Sequence, residues 1–223
     1  MHRILIFANG ALPSLEQAQR LLQKDDYIIC ADGGARHARA LGIEPNLVLG
    51  DMDSLDKAAW KELEASRVPV ELFPREKNET DLELALTRAF ELEPKEILII
   101  AALGGRIDQT LANIALLTDP RFSACDLRLD DGVEEIFFCR HQAEVRGRSG
   151  DIVSLLPWGA PVHGIRTRGL KWSLNDETLY PEKTRGVSNE MIADVASIYI
   201  RSGLLLVVHR RRSSHPHNPR LLT

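Results

Sequence analysis

Cysteine is scarce in this chain: 223 residues hold Cys30, Cys125 and Cys139, and no two of them form a C-x-x-C pair. An odd, scattered set excludes a disulfide framework or a cysteine zinc site and reads as core thiols in a reducing compartment. A cytoplasmic location is therefore expected, and the Asn78-Glu79-Thr80 sequon is not expected to carry sugar. No apolar run approaches the roughly 20 residues of a membrane span, so no membrane segment is expected. The opening MHRILIFANG has neither a long h-region nor a small-residue cleavage site, which argues against a signal peptide. Excess positive charge is also missing. The formal net charge is -4, which gives no reason to expect nucleic acid as a partner. G-x-x-x-x-G-K-[ST], G-x-G-x-x-G and H-E-x-x-H do not occur, so the standard nucleotide loops and the zinc helix are excluded. What remains is an ordinary globular balance, 44% hydrophobic and 27% charged, long enough for one large domain or two small ones.

The first half alternates between periods. Apolar runs at 3–8, 27–31, 46–50, 68–73 and 95–103 read as strands. Between them, helices are predicted over 14–24, 34–42, 55–66, 80–92 and about 108–118. The clearest is 80–92, where Leu82, Ala85, Leu86, Ala89 and Phe90 share one face. Thr80 is its cap and Glu83 the capping-box partner. Continuous apolar strands alternating with helices predict an α/β domain, its mostly parallel sheet covered by helices on both faces. Near residue 120 the pattern changes to short strand-like runs broken by Gly, Pro and Asp, which predicts a C-terminal all-β sandwich. The boundary is placed in DPRFSAC (119–125), giving an α/β domain over 1–122 and a β domain over 126–209. Residues 210–223, basic and aperiodic, are expected to be a disordered tail.

Carboxylates close the strands of the first half. YIICADGG leads into Asp32, NLVLGDMDS into Asp51 and Asp53, and LIIAALGGRID into Asp108, while Asp81 opens a helix that begins on the same rim. In an open parallel sheet, ligands bind outside the carboxyl ends of the strands. Five carboxylates there repel one another unless a cation lies between them. Oxygen ligands without nearby Cys or His select a hard cation such as Mg²⁺, which shares itself with phosphate oxygens. Gly33-Gly34 and Gly104-Gly105 each precede a helix start and let backbone N–H groups approach an anion. Arg106 offers a bidentate fork to phosphate and Lys77 a point charge. Each residue alone also reads as a turn or cap; their joint placement points to a magnesium–polyphosphate mouth.

ADGGARHARALGIEPNLVLGDMDSLD, then EKNETDLELAL, then LGGRIDQTLANIALL, in that order and spacing, resemble the thiamine pyrophosphokinase family. The later GIRTRGLKWSL and GVSN resemble its thiamine-binding segments, so the likeness runs from about residue 30 to 190. The resemblance implies a homodimer and transfer of the pyrophosphoryl group of ATP to thiamine, with magnesium. It implies that Asp51 and Asp53 hold Mg²⁺ and the ATP phosphates, with Asp81 among the metal ligands. Asp32, Thr80, Asp81, Arg106 and Asp108 would complete that site, beside Gly33, Gly34 and Gly105, with Gln109 and Asn113 lining it. Ser188 and Asn189 would contact thiamine, with Trp172 near the same pocket, in a site shared between subunits. Asn78 departs from the acidic residue the family often has there. Glu190 and Met191 stand where some members carry an aromatic after the Ser-Asn pair.

Direct pyrophosphoryl transfer needs alignment of the attacking hydroxyl and neutralisation of developing charge. Asp81 and Asp108 are both candidates to orient or deprotonate the hydroxyl. His37 and His141 read as solvated and His163 as a strand residue, so no activated nucleophile is evident. Three rivals remain at this level. A pyrophosphokinase for a hydroxymethylpterin lacks a use for GLKW and the Ser-Asn pair. A D-x-D phosphatase normally carries its pair after the first strand. A non-catalytic thiamine or nucleotide sensor has no need of the intact acidic set.

Overall fold

The computed structural model describes residues 3–51 and 66–212. The chain divides into two compact units, Met1–Phe137 and Phe138–Thr223.

The N-terminal unit is built on β1 (Arg3–Phe7), β2 (Tyr27–Ala31), β3 (Leu47–Gly50), β4 (Val70–Leu72), β5 (Glu96–Ile100) and β6 (Asp126–Asp130). All six run parallel, and β7 (Glu134–Cys139) joins β6 antiparallel. The spatial order is β7-β6-β5-β1-β2-β3-β4. The chain therefore lays down β1 to β4 in one direction and returns to place β5 on the other side of β1. That reversal makes the crevice beyond β1 and β5 the topological switch point, where ligands of such sheets bind. β6 follows the boundary suggested by the strand–helix alternation, yet it pairs with β5 from Glu96↔Asp126 to Ile99↔Leu129.

Four helices are described: α1 (Leu15–Gln19), α2 (Ala35–Ala40), α3 (Asp81–Phe90) and α4 (Ile107–Leu116). Strand alternation sends Leu5, Phe7, Ile28, Cys30, Val48, Leu98 and Ile100 to one face, into a cluster with Ala38 of α2. α3 packs on β1, β2 and β3 through buried Leu82, Ala85, Leu86 and Ala89. Its cap is as the pattern predicts: Thr80 Oγ1 accepts from Glu83 N–H at 3.2 Å. The Glu83 carboxylate turns to Arg121, which reaches it at 2.8 Å. α1 is shorter than the predicted 14–24, because Leu21 N–H bonds to Ala18 O and tightens the chain for its turn into β2. The helix predicted over 55–66 lies outside the described residues, apart from its last position. Among the described residues, no helix is long and apolar enough to cross a membrane.

The C-terminal unit is all β. One antiparallel sheet has the order β11-β10-β13-β8, made of β8 (Gln142–Arg146), β10 (Val162–Arg168), β11 (Asn175–Leu179) and β13 (Val195–Tyr199). β12 (Asn189–Glu190), β9 (Ile152–Pro157) and β14 (Leu205–Arg210) pair antiparallel in that order. Order continues into the segment read as a tail: Arg210 ends β14, and Arg212 N–H donates to Asp151 Oδ1 at 2.9 Å. Residues 213–223 lie outside the described residues.

Candidate active site

The register brings four strand exits level. Phe7 pairs with Cys30 on one side and Ile100 on the other, and Ala31 pairs with Leu49. Asn9 and Gly10 leave β1, Asp32 leaves β2, Asp51 leaves β3, and Ala101 to Gly105 leave β5. A cavity of about 290 Å³ opens at this rim, lined by Asn9, Gly10, Asp32, Thr80, Asp81, Gly104, Gln109 and Asn113 among others. It lies between the β1 and β5 exits, at the switch point.

One carboxylate oxygen from each of Asp32, Asp51 and Asp81 lies within 4.8 Å of the others. Asp32 sits in a left-handed turn, φ +49°, which Asp tolerates better than most residues. It is only 5% exposed. Its Oδ2 receives Asn9 Nδ2 at 3.3 Å, while Oδ1 is buried with no hydrogen-bond partner. Such an oxygen beside two more carboxylates is costly without a positive ligand, so the donor set fits a hard cation. Lys77 Nζ contacts Asp81 Oδ1 at 2.9 Å, an ionic contact outside hydrogen-bond geometry, and Asp51 Oδ2 at 4.0 Å. Burial raises the Asp81 pKa above its ordinary value; the Lys77 ammonium opposes this, and Asp32 and Asp51 add to it.

The two glycine pairs do different work. A Cβ on Gly34 would stand 2.0 Å from Phe7 O, and one on Gly33 2.4 Å from Asn9 Oδ1, so this turn is laid directly against the end of β1. Gly104 and Gly105 have φ of +78° and +72°, a left-handed turn that leads into α4. Gln109 and Asn113 of α4 reach the cavity, with Asn113 Nδ2 fixed on Ala102 O at 2.8 Å.

Asp108 is not in the carboxylate cluster. It is 61% exposed on the first turn of α4, and Arg106 grips both its oxygens. The Arg106 fork that was free to hold phosphate in the sequence reading is thus occupied here. The Arg106 hydrogen bonds hold the Asp108 carboxyl below its ordinary range. Asp53 lies outside the described residues. Asn9 was missed: RILIFANG ends in Asn-Gly like a turn, and only the parallel pairing with β2 sets its amide beside Asp32. His37 differs from its solvated reading as well. It is half-buried, and its Nε2 meets Gly10 O at 3.0 Å while Arg36 Nη2 reaches Asn9 O at 3.1 Å, so α2 clamps the β1 exit. Burial lowers the His37 pKa, with Arg36 adding and the Gly10 bond opposing.

In the C-terminal unit, Trp172 is 57% exposed with Lys171 Nζ 5.0 Å from its ring centroid. Asn189, 8% exposed, accepts from Trp172 N–H at 3.1 Å and Glu190 N–H at 2.9 Å through Oδ1. Its Nδ2 donates to Trp172 O at 2.8 Å. The amide is thus largely committed to holding the Trp172 backbone. Ser188 is exposed at φ +61°, and its N–H donates to Ser154 Oγ at 3.0 Å.

A cavity with an acidic wall at the switch point of a parallel sheet places the N-terminal unit among α/β proteins that bind a ligand beyond the carboxyl ends of their strands. Residues 18–129 match the family model described as thiamin pyrophosphokinase, catalytic domain, and residues 140–205 match thiamin pyrophosphokinase, vitamin B1 binding domain. The chain belongs to the thiamine pyrophosphokinase family. It is 29% identical over 210 residues to thiamine pyrophosphokinase of Bacillus subtilis, covering 93% of this chain and 98% of the relative. It is 26% identical over 235 residues to thiamine pyrophosphokinase 2 of Oryza sativa subsp. japonica, covering 93% and 86%. The crystal structure of the Bacillus subtilis enzyme superposes with a TM-score of 0.86 at 26% identity, covering 95% of this chain and all of that one. A thiamin pyrophosphokinase family protein from Enterococcus faecalis superposes with a TM-score of 0.80 at 28% identity, covering 96% and 100%.

Proposed function

We infer that the chain transfers the pyrophosphoryl group of ATP to the hydroxyl of thiamine, giving thiamine diphosphate and AMP. The observation that carries this is the match of one family model to each half of the chain, catalytic and vitamin-binding. The switch-point cavity supplies the phosphate side. Gly104-Gly105 turns the chain beside it, and Thr80 caps α3, whose N-terminal dipole favours an anion. Asp32, Asp51 and Asp81, with Asp53, would hold Mg²⁺. The metal would neutralise charge that develops on the phosphates. Of the two carboxylates near the attacking hydroxyl in the sequence reading, Asp108 is the weaker base, because Arg106 lowers its pKa. Asp81 lines the cavity, from where its carboxylate can orient the hydroxyl.

Trp172, Ser188 and Asn189 are assigned to thiamine, and the site is assigned to a cytoplasmic homodimer in which each mouth receives the partner's β unit. Two features support that pairing. Residues 1–137 hold 25 Asp/Glu against 15 Lys/Arg, and residues 138–223 hold 7 against 13, so the two kinds of surface attract. Large apolar side chains are exposed on both: Ile107 and Leu111 on α4, Trp172 and Ile192 in the β unit. Incubation with ATP, Mg²⁺ and thiamine should yield AMP and thiamine diphosphate with no phosphoprotein. ADP as the main nucleotide product would overturn the reaction class. Mixing inactive Asp51→Asn subunits with inactive Trp172→Ala, Asn189→Ala subunits should restore activity; verified heterodimers no more active than their parents would refute the shared site.

A further inference from the structure

The acidic cluster already touches a cation, and it belongs to the chain. Lys77 is 12% exposed at its side chain, with Nζ at 2.9 Å from Asp81 and 4.0 Å from Asp51. It also donates to the Pro74 carbonyl at 3.3 Å. The ammonium serves two of the three carboxylates, and the Asp32 Oδ1 oxygen stays without a hydrogen-bond partner. We propose that Lys77 is a resident counter-ion that competes with the metal for Asp81 and Asp51, and that nucleotide phosphates relieve the competition by offering its ammonium another anion. The inference rests on the metal reading of these carboxylates.

Three physical points carry it. Magnesium needs carboxylate oxygens at about 2.0–2.1 Å, and an ammonium within ionic contact of the same oxygen occupies part of that approach. Two cations sharing an acidic pocket of low exposure repel each other more strongly than they would in water. Lys77 also precedes the N-terminal end of α3, whose dipole is unfavourable to a cation, so the carboxylates are what hold it there. Once they turn to a metal, the ammonium on its four-carbon stem is pushed toward the cavity where phosphates bind. Metal and polyphosphate then strengthen each other's binding reciprocally.

The test counts free Mn²⁺ by electron paramagnetic resonance, with and without a non-hydrolysable ATP analogue, each against the same mixture without protein because the analogue itself chelates Mn²⁺. The wild-type protein should bind Mn²⁺ weakly alone and at least about tenfold more tightly with the analogue. Lys77→Met should bind Mn²⁺ alone about tenfold more tightly than wild type and lose most of the analogue's effect. Lys77→Arg, which keeps a cation, should stay near wild type without the analogue. Lys77→Met binding Mn²⁺ alone no more tightly than wild type overturns the inference while the metal reading stands. So does an absence of analogue-dependent tightening in the wild type, a measurement that needs no variant to fold. No Mn²⁺ binding by any form under either condition overturns the metal reading itself, and the inference with it.

Discussion

Replacing Asn189 with alanine separates two ways in which this residue could serve thiamine. Its amide makes three hydrogen bonds within the chain, two to the Trp172 backbone and one to Glu190 N–H. At about 0.5–1.5 kcal/mol net for each bond, Asn189→Ala should cost about 2–4 kcal/mol. For a chain of this length that is a fall in melting temperature of roughly 4–16 °C, at about 2–4 °C per kcal/mol. The lost tether frees the loop that presents the exposed Trp172 ring, so thiamine KM should rise about tenfold, equivalent to about 1.4 kcal/mol, with ATP KM little changed. The decisive assay is a double-mutant cycle on thiamine KM. If Asn189 acts by positioning Trp172, its substitution adds nothing further in a Trp172→Ala background, and the coupling energy equals its whole single-mutant effect. Effects that multiply instead would show that Asn189 meets thiamine directly through its remaining N–H, and the positioning role would be wrong.

Three more expectations follow from the geometry. Asp81 has a raised pKa, so its contribution to stability is fully present below the ordinary carboxylate pKa and is lost as pH rises through the raised value. Calorimetry with a chelator present should show Asp81→Asn gaining stability relative to wild type as pH rises through that window, and a pH-independent difference would contradict the assignment. Burial raises Asp151, but hydrogen bonds from Arg212 N–H, His209 and Arg148 N–H hold it below its ordinary value. Its contribution is therefore present above the ordinary carboxylate pKa and lost as pH falls through the lowered one. Asp151→Ala, which removes a hydrogen-bond partner of the fully buried His209, should cost about 2–4 kcal/mol by urea unfolding at pH 7, and less in strong acid. Gly34→Ala forces its Cβ onto the Phe7 carbonyl, and at about 1–3 kcal/mol for overpacking it should lower the melting temperature and weaken Mn²⁺ binding by shifting Asp32; unchanged binding in a folded variant would detach the turn from the site.

Local pattern alone determined a good deal here. Continuous apolar runs separated by a 3.6-residue period mark buried parallel strands with helical crossovers, and that topology brings whatever follows each strand to one rim. Asp32, Asp51 and Asp81 were therefore legible as neighbours before any coordinates. The change to short broken strands likewise marked the β unit. Strand adjacency was not legible, because pairing is a long-range choice: β6 could have joined either half, and only its register on β5 assigns it. The reversal of strand order at β1 then decided that the cavity opens between the β1 and β5 exits, which recruits Asn9. Side-chain direction on a helix turn was hidden for a similar reason. Asp108 reads with the others as a strand-end carboxylate, but β5 ends at Ile100, and the left-handed turn at Gly104 and Gly105 carries Asp108 outward to Arg106. Asn189 looked like a ligand contact in the sequence, and the folding of two distant segments against each other committed its amide to Trp172. Spacing along a chain fixes which face a residue shares with its neighbours; which partner a polar group finds depends on segments brought together only in the folded protein.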